Sequence, residues 1–126
     1  MLKFYKCKVC NNLINVVLDG GGPLECCGRG MSELTANTVD ASLEKHVPSV
    51  KVSGSNVAVQ VGSVAHPMEQ AHHINFICLE TKTGAQFARL QVDGRPNAEF
   101  MLASGESAVA VYEYCNLHGL WKKELI

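Results

Sequence analysis

From Val50 onward the chain alternates apolar and polar residues over short spans. In SNVAVQVGS (55–63), Val57, Val59 and Val61 fall on one face of an extended backbone, the period of two that marks a half-buried strand. HHINFICLET (72–81), AQFARLQV (85–92), AEFMLA (98–103) and SAVAVYEYC (107–115) repeat the pattern, separated by the turn signals KTGA, DGRPN and SGE. No helical period interrupts them, so the pattern predicts an antiparallel β-sandwich and not a βαβ fold. The first 36 residues differ. One short apolar run, Leu13 to Leu18, is closed by three glycines and a proline, enough for a hairpin and little core. The polar stretch MSELTANTVDASLE (31–44) reads as a linker into KHVPSV. The organisation expected is a small module over 1–36 and an all-β domain over 37–126.

A chain of 126 residues with 47% hydrophobic content can bury one sizeable core, and a module of some 36 residues needs a staple. The formal charge of -1 without a basic run leaves no electrostatic footprint for nucleic acid or an anionic membrane. MLKFYKCKVC has no apolar core of signal-peptide length, and no window approaches the ~18 consecutive apolar residues of a membrane span. The chain is expected to be cytoplasmic, a reducing compartment where six cysteines point to metal or catalysis before disulfides.

Cys7, Cys10, Cys26 and Cys27 form Cys-x2-Cys-x15-Cys-Cys. Four thiolates close a tetrahedral shell and leave no room for substrate. A zinc ribbon uses two Cys-x2-Cys knuckles; the adjacent second pair departs from that and marks a distorted S4 site, favouring iron over zinc. Gly28 and Gly30 supply the backbone freedom of a tight metal loop. The five histidines, His46, His66, His72, His73 and His118, fall at strand edges and loops in EKHVP, AHPMEQAHHI and YCNLHG, where donors from separate strands can converge. Pro67 and Pro48 stiffen two of these loops. Cys115 and His118 have a Cys-x2-His spacing that one turn can present to one metal. A pool of imidazoles with a single thiolate suits iron or copper better than structural zinc, and Met68 or Met101 could complete a blue-copper set.

Taken together, the four-cysteine spacing with EKHVP, GSVAHPMEQAHHI and EYCNLHGLWK, over nearly the whole chain, resembles the desulfoferrodoxin family, the two-iron superoxide reductases. The resemblance implies a desulforedoxin-like or rubredoxin-like module holding one iron on Cys7, Cys10, Cys26 and Cys27, then an immunoglobulin-like sandwich holding a second iron. For the second iron it implies His46, His66, His72 and His118 as equatorial ligands and Cys115 as the axial one. His73 falls where the family carries an aromatic, and Cys78 matches no ligand and reads as a core thiol. The implied reaction is one-electron reduction of superoxide to hydrogen peroxide without dioxygen formation, in detoxification under oxidative stress. Lys45 would attract the anion, and Glu44 would occupy the open position of the oxidised iron. The implied partners are an electron donor such as rubredoxin and a second copy of the chain in a homodimer. The competing reading is a rubredoxin-like electron-transfer protein without turnover.

Overall fold

The computed structural model describes residues 1–40 and 45–126, which divide into two compact units, Met1–Thr35 and Ala36–Ile126. In the first unit β1 (Phe4–Lys6) pairs with β2 (Leu13–Asn15), and the turn between them is the Cys7-x2-Cys10 segment. The Cys7 N–H donates to the Asn12 carbonyl at 2.8 Å, and the Asn11 N–H to the Cys7 carbonyl at 3.1 Å. The apolar run from Leu13 is therefore one strand of the hairpin, and it pairs backward with β1. Val17 and Leu18 lie beyond the strand, 95% and 88% exposed. β3 (Glu25–Cys26) and β4 (Arg29–Gly30) form a second, two-residue hairpin.

The segment read as a linker is partly structural. β5 (Ser32–Glu33) joins the free edge of β1, and the Leu34 N–H continues the pairing to the Phe4 carbonyl. Further on, Asn37 bridges the last strand in parallel: its N–H donates to the Leu120 carbonyl, and the Lys122 N–H donates to the Asn37 carbonyl, both at 2.9 Å. A short polar segment with no alternation can still be recruited as an edge, because exposed backbone groups need partners whatever side chains accompany them.

The second unit is an antiparallel sandwich. One sheet orders β10 (Asn97–Met101), β7 (Asn56–Val61) and β6 (Pro48–Ser53); the other orders β12 (Gly119–Glu124), β11 (Ala108–Cys115), β8 (Ile74–Thr81) and β9 (Ala85–Arg89). The valines at 57, 59 and 61 face Ile77, Leu79 and Val111 of the opposite sheet in one core with Phe100, Met68, Ile74 and Cys115. That is the all-β, sandwich arrangement the alternation predicts. Among the described residues no helix is long and apolar enough to cross a membrane.

Two differences from the sequence pattern position the functional residues. β12 is a strand although LWKKE does not alternate; its register against β11 carries it, with Trp121 opposite Glu113 and Gly119 opposite Cys115. β8 begins at Ile74, not at His72, and its pairing with β11 contains a bulge: Tyr114 faces Phe76 but Cys115 faces Ile74, so Asn75 is skipped. The extra residue reverses the parity of β8, which is how Ile74 and Ile77 both reach the core, and bulges of this kind re-aim side chains beside active sites.

Gly62, just after β7, has φ +80°, and a Cβ there would lie 2.5 Å from the carbonyl oxygens of both Lys45 and Val64. The main chain carrying Lys45 and His46 rests directly on this glycine. Gly54 also has a positive φ, +59°, but open space where its Cβ would be. Gly62→Ala is therefore expected to destabilise the sandwich by more than Gly54→Ala, which bears only the left-handed conformational cost of ~1–2 kcal/mol. Thermal unfolding of the two variants checks this, and equal melting temperatures would show that the 45–46 segment does not depend on the close approach.

Candidate metal centres

The four thiols of the first unit are brought together by its two turns. Cys7 is buried at the end of β1, Cys10 lies in the turn that follows, and Cys26 ends β3. Adjacent side chains on a strand diverge, and the backbone resolves this at Cys27. Cys27 has φ +53° and Gly28 φ +72°, the paired positive values of a type I′ hairpin turn. The turn swings the Cys27 sulfur to 3.9 Å from Cys26, while Cys10 lies 3.6 Å from Cys26. Thiolates ~2.3 Å from a tetrahedral metal lie ~3.8 Å from one another, so the sulfurs already outline such a shell.

The surroundings of these thiols are unequal. Backbone N–H groups of Cys10 and Val9 point at the Cys7 sulfur at 3.5 and 3.4 Å and pull its pKa down to about 6. The thiol hydrogen bonds from Cys10, then Cys26 and Cys7, push Cys27 up to about 12, and hydrogen bonding to Cys10 and Cys7 raises Cys26. Cys7 is thus the ready anion of the set. A thiophilic cation among the four would deprotonate the rest outright.

In the sandwich, His46, His66, His72, Cys115 and His118 each offer a donor atom, all within 4.8 Å of one another. The His46 Nε2 lies 3.0 Å from the His66 Nε2 and 3.1 Å from the His118 Nδ1, and the Cys115 sulfur lies 3.8 Å from that same Nδ1. Two nitrogens each ~2.1 Å from a metal and at right angles around it are ~3.0 Å apart, so the imidazole spacings fit adjacent positions of one coordination sphere. Five donors with one thiolate exceed a tetrahedral zinc set and suit a six-coordinate transition metal with a position to spare. Cys115 and His46 are sealed in the interior, whereas His118 is exposed. The cluster therefore meets solvent on the His118 side.

Groups that are not donors hold these side chains in place. The His66 Nδ1–H donates to the Pro67 carbonyl at 2.8 Å; a carbonyl can only accept, so this bond fixes the tautomer and leaves Nε2 as the donor atom facing His46. Trp121 stacks on His46 with ring centroids 4.6 Å apart at 14°, and its Nε1–H donates to the His118 carbonyl at 3.2 Å. One Asp40 carboxylate oxygen accepts the N–H groups of His46 and Val47, both at 2.7 Å. Neither Trp121 nor Asp40 stood out in the sequence, since their roles depend on what they face.

The remaining candidates separate cleanly. His73 stands outside the cluster: its Nδ1–H donates to the Glu69 carbonyl at 2.9 Å and its Nε2 accepts from the Asn75 amide at 3.3 Å. Cys78 is a free, buried thiol pushed to about 12 by desolvation, then by Glu80. Lys45 is half-buried beside His46; Glu44 lies outside the described residues. Met68 is in the core, where its sulfur accepts the Ile74 N–H, and exposed Met101 accepts from the Asn56 amide; neither belongs to the donor set. Glu113 is a further buried group that spacing did not reveal. It is fully enclosed, neither oxygen has a hydrogen-bond partner among the described residues, and desolvation with the nearby Asp40 charge raises its pKa to about 9.

Known proteins match both units of the chain. The family model Desulfoferrodoxin matches residues 38–124, and the model for the desulfoferrodoxin N-terminal domain matches residues 1–34. A desulfoferrodoxin of Syntrophotalea carbinolica is 46% identical over 98% of this chain and 96% of its own. A desulfoferrodoxin homolog of Archaeoglobus fulgidus is 42% identical over 97% and 96%. Among solved structures, the superoxide reductase from Treponema pallidum superposes with a TM-score of 0.86 at 37% identity, covering 98% of each chain. The one-iron superoxide reductase from Giardia intestinalis, TM-score 0.56 and 35% identical, covers 65% of this chain and 99% of its own.

Asp40→Ala should leave the His46 and Val47 N–H groups without their acceptor and cost ~1–3 kcal/mol, whereas Asp40→Asn, which keeps an amide oxygen, should cost less. Denaturant unfolding of both variants gives the ordering; an alanine variant as stable as wild type would show that the carboxylate does not hold the His46 backbone.

Proposed function

The chain belongs to the desulfoferrodoxin family, and from that premise we propose that it is a superoxide reductase carrying two iron ions. The observation that carries the reading is the five-donor cluster, four imidazoles and one thiol within 4.8 Å. Five protein donors leave one position of an octahedral metal for a small ligand. Distant relatives named superoxide reductase in Pyrococcus horikoshii and putative superoxide reductase in Archaeoglobus fulgidus support it, at 31% and 32% identity.

The residues divide the work. His46, His66, His72, His118 and Cys115 hold the second iron, and Cys7, Cys10, Cys26 and Cys27 hold the first. Ferrous iron, when bound, supplies one electron and an open coordination position. Cys115 keeps its sulfur in the apolar core, where water does not solvate the thiolate and its donation to the metal is undiluted. The exposed His118 side is where a small anion can enter. Lys45, next to His46 in sequence, is the positive charge we assign to attracting that anion, and because the whole chain carries a formal charge of only -1, steering must come from such local charge. Superoxide takes one electron and two protons from solvent to give hydrogen peroxide, with no dioxygen formed. Glu44 is the proposed sixth ligand of the oxidised iron.

The setting that goes with this activity is detoxification in the cytoplasm, with electrons from a donor such as rubredoxin and with the chain as a homodimer. A pure electron carrier with two metals is the competing reading. It has no use for five donors around an open position, and it predicts that azide or cyanide leaves the second centre's spectrum unchanged.

Metal analysis of the purified chain should give two irons, and Cys115→Ser should abolish superoxide reduction while the first iron stays bound, seen in its thiolate absorption. Full activity with a hydroxyl at 115 would remove the thiolate from the ligand set, and two zincs would end the reading. For the substrate, Lys45→Ala should slow the encounter with superoxide roughly tenfold at low salt, with the deficit shrinking as ionic strength rises. Pulse radiolysis across a salt series measures it, and an unchanged encounter rate would return Lys45 to an ordinary solvated charge.

A further inference from the structure

We propose that Asn116 is a positioning residue of the second metal centre, its side-chain amide clipping the backbone on both sides of His72 and so fixing that imidazole relative to Cys115 and His118. The inference rests on the reading above only in requiring that the cluster bind a metal.

Three hydrogen bonds join Asn116 to the segment around His72. Its Oδ1 accepts the His73 N–H at 2.8 Å, its Nδ2 donates to the Ala71 carbonyl at 3.0 Å, and its own main-chain N–H donates to the His73 carbonyl at 3.1 Å. The two side-chain bonds land on the residues immediately before and after His72. Only one amide orientation works: exchanging oxygen and nitrogen would set acceptor against the carbonyl and donor against the N–H.

His72 needs such a clip because it lies before β8, where no ladder bond fixes the main chain. Locally it is closed into a turn, its N–H donating to the Glu69 carbonyl at 3.1 Å and the Glu69 N–H to its own carbonyl at 2.9 Å. Beside the turn, Met68 ties it to the sandwich, its carbonyl accepting the Asp93 N–H at 3.0 Å and its sulfur the Ile74 N–H at 3.4 Å. Asn116 adds the tie to the strand that carries a ligand, being the residue after Cys115 at the end of β11. The bulge makes the reach possible. With regular pairing Asn116 would face Ile74; with Asn75 skipped, Cys115 faces Ile74 and Asn116 meets His73. His46 has Asp40 and Trp121, His66 has Pro67, and His118 has Trp121. Asn116 is the corresponding support for His72.

Outer-shell partners of metal ligands typically change metal affinity by ~10–100-fold when removed. The test uses the full-length chain loaded with iron, titrated with a chelator, with the absorption of the four-thiol centre as the internal control. Asn116→Ala, which deletes both clips, and Asn116→Asp, which sets a second oxygen against the Ala71 carbonyl, should each weaken iron retention at the second centre by ~10–100-fold. Both should also shift that centre's ligand-field bands while the first centre is untouched. Val57→Ala, a core truncation in the other sheet, separates positioning from general loss of stability: it should lower the melting temperature yet leave iron affinity and bands at their wild-type values. Should Asn116→Ala fail to fold, Asn116→Asp carries the same comparison. Wild-type affinity and bands in the folded Asn116 variants, or a loss matched by Val57→Ala, overturns the proposal. A wild-type chain that takes up iron only at the four thiols overturns the reading beneath it and the proposal with it.

Discussion

Holding four imidazoles and a thiol with their donor atoms inside 4.8 Å is the constraint on which the sandwich turns. Ring nitrogens facing one another at 3.0 and 3.1 Å do not attract when both present lone pairs, so the arrangement is stable only if the backbone imposes it or a cation neutralises it. The backbone's share is visible: a carboxylate on two N–H groups, a carbonyl fixing a tautomer, an indole spanning two ligands, and a glycine that lets two segments touch. Each is individually worth about a kilocalorie per mole. Together they pre-form the site before a metal arrives, and the metal's binding energy is then not consumed in ordering loops.

The same division explains why the donors sit where they do. Cys115 ends β11, a strand buried continuously from Ala110 onward, and it belongs to the hydrophobic core of the sandwich. The imidazoles come from segments outside the strands, which have the freedom to converge but also need the extra hydrogen bonds. Glu113, two residues before Cys115, is fully buried, and neither of its oxygens has a hydrogen-bond partner among the described residues. A buried carboxyl with neither oxygen bonded is costly.

The small unit solves a different problem by a different route. Of its apolar side chains only Phe4 and Cys7 are buried, and Val17 and Leu18 lie almost fully in water, so packing alone cannot hold it. Two tight turns instead bring four sulfurs within 4.8 Å of one another, one of them at the expense of a left-handed conformation at Cys27. Ligation is what can offset that strain, because binding free energy at a site absent from the unfolded chain is folding free energy.

The sequence by itself determined the all-β class, the core valines and the pool of candidate donors, because a period of two and the chemistry of cysteine and histidine are local properties of the residues. The family resemblance singled out His72 over His73, something alternation could not do; in the structure the pair precedes β8 and is not governed by alternation at all. Tertiary structure alone decided that β12 is a strand, that the 31–37 stretch supplies edges and not a free linker, and that Asp40, Trp121 and Asn116 serve the site. These residues carry no signature of their own. An aspartate, a tryptophan and an asparagine acquire a role only from the partners that register, a bulge and a left-handed glycine bring within 2.7 to 3.2 Å, and those partners are set by pairings between residues distant in the chain.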